Sequence, residues 1–288
     1  MKDLNYQLKK LCQHNRDGSY ATQRDRERAL TLIAEQLHDL GYRCLKATSL
    51  KPKHVEALIA KWRSEGLAVG TLKNRMAVLR WWSEKVGKQN VIARDNSHYG
   101  IPDRTFVSSD SKAMVLESDA LDKVKDMHVL MSLELQQAFG LRREEAIKFQ
   151  PAFADRGDHL FLKASWTKGG KAREVPIRTD EQRAILDRAH RLVGNGSLIP
   201  SDRNYRYQLR VYEKHTASAG LSKLHGLRHH YAQRRYEELT GRKAPAVGGP
   251  ASAELDASER HTDRDARLTI SRELGHLREE ITAAYLGR

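Results

Sequence analysis

Cysteine is almost missing from this chain: Cys12 and Cys44 are the two thiols among 288 residues. Two thiols cannot build a disulfide framework or a multi-thiolate zinc site, which sets aside secreted mini-scaffolds and zinc fingers. Long apolar runs are lacking too. No stretch approaches the roughly 18 apolar residues of a membrane span, and the N-terminal MKDLNYQLKK has no apolar signal core. With 39% apolar residues and a mean hydropathy of −0.69, the expectation is a soluble, cytoplasmic protein with no membrane partner. No internal repeat is present.

What the chain has in excess is positive charge. Lys and Arg number 51 against 37 Asp and Glu, a formal net of +14. A basic excess of that size favours a polyanionic partner, nucleic acid first. The first 104 residues hold 20 basic and 11 acidic side chains, and the rest hold 31 and 26. About a third of the chain therefore carries most of the excess, together with Trp62, Trp81 and Trp82. The length fits two domains, each able to bury a core.

Periodicity predicts a helical N-terminal domain over residues 1–105. Leu30, Ile33, Leu37 and Leu40 mark a helix from Thr22 to Leu40, and a second runs from Pro52 to Gly66. Thr71 reads as the cap of a third, carrying Leu72, Met76, Leu79 and Trp82. Lys73, Arg75, Arg80 and Lys85 interleave with that stripe and suggest a basic outer face that lies against phosphates. Residues 90–111 read as a linker.

A second domain, 106–288, follows. Ser118 reads as the cap of a helix reaching toward Met127, and further helices cover Met131–Phe139 and Arg142–Phe149. His159–Lys163 and Arg173–Ile177 form a hairpin turning at Gly169 and Gly170. Helices resume at Asp180–Val193, Tyr205–Ser218, His225–Leu239, Arg267–Leu274 and Arg278–Leu286. Residues 241–265 carry four basic and five acidic side chains with little apolar content, and read as a flexible polar insertion. The expected fold class is mainly α with a small β-hairpin, a helical domain followed by an α+β one.

Four short patterns in the second domain carry chemistry. In Gly140-Leu-Arg-Arg-Glu-Glu145, Arg142 opens a helix, where a guanidinium fork and free backbone N–H groups suit a phosphate. Glu145, one turn on, is placed to hold that fork. Lys168 sits at the hairpin tip, with Lys163, Lys171 and Arg173 as competitors for the same role. In His225-Gly-Leu-Arg-His229, His225 and Arg228 share a helix face and can take a proton and clamp an anion together. His229 and His230 read as packing or surface residues. In Leu274-Gly-His276, Gly275 breaks a helix ahead of His276, and Tyr285 follows nine residues later.

The ordered set of Gly-Leu-Arg, hairpin Lys, His-x-Leu-Arg-His, Leu-Gly-His and Tyr resembles the tyrosine recombinase (phage integrase) family. The resemblance covers most of the chain. It implies a core-binding domain in the N-terminal third and a catalytic domain from about Val115 onward. It also implies Tyr285 as the nucleophile that leaves a 3′-phosphotyrosine and His225 as its base. Arg142, Arg228 and His276 would act as the phosphate clamp, Lys168 as the acid on the departing 5′-oxygen, and Glu145 as the support of Arg142. No metal, nucleotide or other cofactor is expected. The implied partners are duplex DNA at a specific site, a homotetramer on synapsed DNA, and an accessory DNA-bending or directionality protein. The implied task is integration or excision of a mobile element.

Two departures from the family pattern stand out. The stretch from Arg228 to His276 is long, which the 241–265 insertion accounts for. The chain also stops at Arg288, where many relatives continue into a tail that docks on a neighbouring protomer, and no arm-type domain is expected before the bundle. Alternatives with a similar pocket are a type IB topoisomerase or a telomere resolvase, and from another class a non-catalytic DNA-binding relative.

Overall fold

The computed structural model describes residues 3–104, 107, 110–276 and 279–288. Its contacts divide the chain into two compact units, Met1–Thr105 and Phe106–Arg288.

The first unit is built from α1 (Asp3–His14), α2 (Tyr20–Asp39), α3 (Pro52–Ser64) and α4 (Val69–Lys85). Leu30, Ile33 and Leu37 of α2 meet Val55, Leu58 and Trp62 of α3 and Met76, Leu79 and Trp82 of α4 in one buried core. Both central indoles are paired: Trp62 Nε1 donates to Gln36 Oε1 at 2.8 Å, and Trp82 Nε1 to the Ala47 carbonyl at 2.9 Å. That satisfies the polar end that burial would otherwise penalise.

Two expectations change here. Thr71 does not cap α4; the helix starts at Val69, whose side chain packs on the core and draws the first turn back. The stretch predicted as linker is, up to Ile101, part of this unit. Ile92 and Ile101 are buried in its core, and Arg80 grips the Ala93 carbonyl and Asn96 Oδ1. Residues 105, 106, 108 and 109 of that stretch lie outside the described residues.

The second unit begins with α5 (Ser118–Leu121), α6 (Met127–Phe139), α7 (Arg143–Ile147) and α8 (Pro151–Ala154). Ser118 falls inside the one-turn α5. The strong cap is Asp126, whose carboxylate accepts from the His128 and Val129 N–H groups, so α6 starts four residues before the predicted Met131. Strands β1 (His159–Leu162) and β2 (Arg173–Pro176) pair antiparallel, with Leu160 opposite Val175 and Leu162 opposite Arg173. Leu160, Leu162, Arg173 and Val175 are the buried positions of the pair. Gly169 and Gly170 close the turn with φ of +91° and +66°, as predicted from their sequence.

Then come α9 (Asp180–Val193), α10 (Tyr205–Ser218), α11 (Gly226–Thr240), α12 (Ala257–Glu273) and α13 (Ala283–Leu286). Leu135 and Phe139 of α6, Tyr231 and Tyr236 of α11, Ile270 of α12 and Leu286 of α13 share the main core.

The 241–265 segment is not a flexible insertion. Ala244 and Leu255 are buried, and Asp256 and Glu259 form a reciprocal capping box that starts α12 ten residues before the predicted Arg267. Its apolar signal is weak because α12 buries Asp263, Arg267, Ser271 and Glu273 alongside Ala266 and Ile270. The final predicted helix is a 3-10 turn at Glu279–Ile281 followed by the single turn of α13; Leu277 and Arg278 lie outside the described residues.

Candidate active site

Two helix ends gather the arginines. α6 stops at Gly140, in the left-handed region, and α12 at Leu274, ahead of left-handed Gly275. The last carbonyls of a helix lack intrahelical partners and carry partial negative charge. Arg228, buried on α11, donates Nη1 to the Gly140 carbonyl and Nη2 to that of Leu274. Arg142 Nη2 donates to the same Leu274 carbonyl at 3.2 Å, and Arg173 Nε to the Glu273 carbonyl at 2.9 Å. Burial, with Arg142 and Arg173 nearby, pulls the Arg228 pKa down to about 10, which leaves it cationic at neutral pH.

Glu145 is the counter-charge and is fully buried. Its Oε1 accepts from Arg173 Nη1 at 2.6 Å and from Arg142 Nη1 at 2.9 Å. Its Oε2 accepts from Arg173 Nη2 at 2.6 Å and from the Arg142 N–H at 2.7 Å. Burial alone would raise this carboxyl, but the Arg173 fork, with Arg228 and Arg142 behind it, holds it down to about 2. Two of these hydrogen bonds fix the helix start and the Arg142 side chain, and the other two hold Arg173.

Tyr285 projects from α13 into this cluster and is 7% exposed. His225 Nε2 lies 3.2 Å from its hydroxyl. The His276 ring stacks near the phenol at 5.2 Å between centroids, and the His229 ring lies at 4.5 Å on a tilt. All three imidazoles are pushed toward neutrality. Burial, then Arg228, Arg142 and Lys168, lowers His225 below the ordinary histidine value. Burial and the three arginines take His276 to about 3, and burial with His225 and Lys112 takes His229 to about 4. His276 Nδ1 reaches Thr282 Oγ1 at 3.3 Å while its Nε2 faces Arg228 Nη2 at 3.5 Å, an arrangement that suits the neutral Nδ1–H tautomer.

Arg142, Lys168, His225, His276 and Tyr285 line one cleft of about 420 Å³, together with Thr167, Lys171, Arg173 and Gly275. Lys168 is exposed at the hairpin tip, and its ammonium makes no hydrogen bond or ion pair among the described residues. Its rival Lys163 is engaged with Gln150 and the Phe153 ring, and Arg173 is committed to Glu145. The cleft is lined by the Arg142 and Arg173 guanidiniums, the Lys168 ammonium and a phenol with an imidazole beside it, while Arg228 is buried and is not among its lining residues. Such a set can bind a phosphodiester and exchange one of its ester oxygens.

The basic face expected of α4 is not where the sequence suggested. Lys73, Arg75, Arg80 and Lys85 are half-buried, and the exposed positions of that helix include Asn74, Ala77 and Glu84. Long basic side chains flanking an apolar stripe lay their stems along it and pair locally. Lys73 pairs with Asp103 and Lys85 with Asp17, Arg75 sits over the Trp62 ring, and Arg80 bonds the 93–96 turn. The freest stripe is on α10, where Arg206, Arg210 and Lys214 are exposed at four-residue spacing and unpaired among the described residues. That spacing was visible in the sequence. Arg173 was visible only as one basic residue among several, and His229 reads as packing until the fold brings it against Tyr285.

Among families, a model described as phage integrase, N-terminal, matches residues 1–92, and one described as integrase matches residues 93–234. The second range includes Arg142, Lys168, His225 and Arg228 and ends before His276 and Tyr285. No curated protein matches the chain in sequence. Similar solved structures include a lambda integrase dimer bound to a COC′ core site, 15% identical with a TM-score of 0.66, covering 99% of this chain and 78% of that one. The same integrase as a tetramer bound to a Holliday junction is also similar, at 15% identity, 0.60, and coverage of 99% and 78%. XerH bound to palindromic difH, a post-cleavage complex, is similar at 16% identity and 0.58, covering 99% and 81%. So is the Tn1549 transposon integrase with circular-intermediate DNA, at 14% and 0.56, covering 100% and 96%.

Proposed function

This chain belongs to the phage integrase family of tyrosine recombinases, and from that premise we propose how it breaks and rejoins DNA. It is a site-specific recombinase, an integrase acting on duplex DNA. Both matching models are integrase models, which favours recombination over relaxation of supercoils, telomere resolution or mere DNA binding.

In this reading Tyr285 Oη attacks the scissile phosphorus and the 5′-oxygen leaves. His225 takes the phenolic proton through the contact its Nε2 makes, and Lys168 protonates the departing 5′-oxygen. The transition state gathers negative charge on the non-bridging oxygens, where preorganised cations contribute several kcal/mol. Arg142 and Arg228 provide that charge, each turning donors from helix-end carbonyls to phosphate. His276 adds a hydrogen bond once its Nε2 carries the proton and Nδ1 accepts from Thr282. Glu145 keeps Arg142 in place. The phosphodiester is exchanged for a phosphotyrosine ester, so the bond energy is kept, and a 5′-hydroxyl reverses the step. The chemistry asks for neither ATP nor a metal ion.

The first unit serves as the core-binding domain and the second as the catalytic domain. Arg206, Arg210 and Lys214 of α10 meet backbone phosphates, as do Lys73, Arg75 and Lys85 once their weak local contacts open. Arg80 stays with its turn. The assembly is a homotetramer on two synapsed duplexes, aided by a bending or directionality protein, and mobilises a genetic element.

One observation carries the reading: a tyrosine hydroxyl 3.2 Å from a histidine shifted toward its neutral form, in a cleft lined by Arg142 and with the buried Arg228 guanidinium 5.8 Å from the phenol ring. The test is adduct formation on nicked duplexes drawn from the DNA flanking the gene. The native protein is expected to become covalently attached to DNA, and Tyr285→Phe to bind the same duplex without attachment. A covalent adduct from Tyr285→Phe overturns the assignment.

A further inference from the structure

The segment that carries Tyr285 cannot hold itself in place. α13 is four residues long, a single turn, and a single turn has no independent stability in water. The position of the phenol is therefore set by what the turn rests on.

Much of that support is the 241–265 segment. Its 3-10 turn Pro245–Val247 lies directly under Gly287. A Cβ on Gly287 would stand 2.7 Å from the Ala246 nitrogen, and its φ of +80° also disfavours any side chain there. Arg267 of α12 donates Nη1 to the Gly287 carbonyl at 2.9 Å. The guanidinium is itself locked. Its Nε lies 2.9 Å from both oxygens of Asp263, whose carboxylate also accepts from Tyr236 Oη at 2.6 Å and Ser252 Oγ at 3.0 Å. Arg267 and Asp263 are both buried. On the other side of the turn, Gln233 Nε2 donates to the Tyr285 carbonyl at 2.9 Å. Leu286 is fully buried in the same core as Ala244 and Ala266.

We propose that the 241–265 segment and Arg267 form a seat that docks the tyrosine-bearing turn onto its own subunit, with Arg267 as the positioning residue. Asp263 aims Arg267, Arg267 and the Pro245–Val247 turn hold Gly287, and the anchored turn keeps the Tyr285 hydroxyl against His225. The seat makes no contact with the reacting atoms. It determines how often the hydroxyl stands where a proton can leave and an attack can begin. This inference rests on the reading of Tyr285 as the nucleophile, but the docking is measurable without DNA.

The experiment compares the full chain with Arg267→Lys, which keeps the charge but not the fork, and with Gly287→Ala, which leaves Arg267 intact. Hydrogen exchange without DNA is expected to speed up at least tenfold at the amides of residues 285–287 in both variants, with α11 amides unchanged. At saturating nicked duplex, single-turnover adduct formation is expected to fall about tenfold or more while DNA affinity stays within twofold. The proposal is overturned if exchange at residues 285–287 is unaltered. It is also overturned if α11 opens equally, because the contacts then only support the fold. Native protein that forms no adduct refutes the nucleophile reading, and the exchange result still decides the seat.

Discussion

His225 Nε2 and the Tyr285 hydroxyl are 3.2 Å apart, a contact between a helix N-cap and a residue 60 positions later. A proton moving along that contact needs a neutral imidazole, and burial, with the neighbouring arginines, favours that form. Removing the imidazole as His225→Ala is expected to slow adduct formation by about 10²–10⁴-fold while leaving DNA affinity nearly unchanged. Because the His225 pKa lies below the ordinary histidine value, the acid limb of the cleavage profile should fall below pH 6.5. Single-turnover rates across pH 4.5–8 check this, and a limb centred above 6.5 contradicts it.

The Glu145 carboxyl titrates near 2 in the folded protein, against an ordinary value of 4.5. A depressed carboxylate stabilises the fold above its unfolded pKa, and the contribution disappears as pH falls through the folded one. Glu145→Gln should therefore cost about 3–5 kcal/mol at neutral pH by leaving Arg173 and Arg142 unbalanced. The deficit against the native chain should shrink between pH 4.5 and 2. Urea unfolding at stepped pH measures both, and a deficit that grows on acidification rejects the assignment.

Phosphate contacts show themselves in salt dependence. Each of Arg206→Ala, Arg210→Ala and Lys214→Ala should reduce the slope of log affinity against log salt by about 0.9, the contribution of one phosphate on duplex DNA. Arg80→Ala should leave the slope alone and lower the thermal stability of the first unit, since its guanidinium bonds the 93–96 turn. A slope change for Arg80→Ala equal to that for Arg210→Ala would show that the turn is not its main partner.

Gly275 is both left-handed, at φ +64°, and tightly packed: a Cβ would stand 2.8 Å from Arg173 Cδ. Gly275→Ala must displace Arg173 or the backbone leading to His276. Adduct formation should drop at least tenfold with DNA affinity preserved. A crystal structure of the variant should show Arg173 shifted off Glu145, and an unshifted fork with normal cleavage would refute the argument.

The residues proposed for the chemistry were readable because their types are unusual at their spacings. Arg142, His225 with Arg228, His276 and Tyr285 each sit at a helix boundary that a glycine or a cap announces. What the sequence hid follows from side chains acting against their usual habit. α12 buries an aspartate, an arginine and a glutamate, so its hydrophobic pattern resembles a loop until those groups are seen paired. Arg173 differs from Lys171 only through the strand register, which turns Arg173 inward opposite Leu162. On α4 the charges at the margins of the apolar stripe appeared outward in the pattern but lie along the surface of the core.

The arginine cluster also dates the site within the life of the molecule. Arg228 to Gly140, Arg173 to Glu273 and Arg142 to Leu274 join residues 88, 100 and 132 positions apart. The first unit is instead closed largely by neighbouring helices. Long closures carry an entropic cost that must be met before their contacts form, so local elements precede them. Pulse-labelled hydrogen exchange should find α2 and α4 protected before the amides around Gly140 and Leu274, and the reverse order would refute this sequence of events. A newly made chain thus holds its first unit before it holds the arginine cluster.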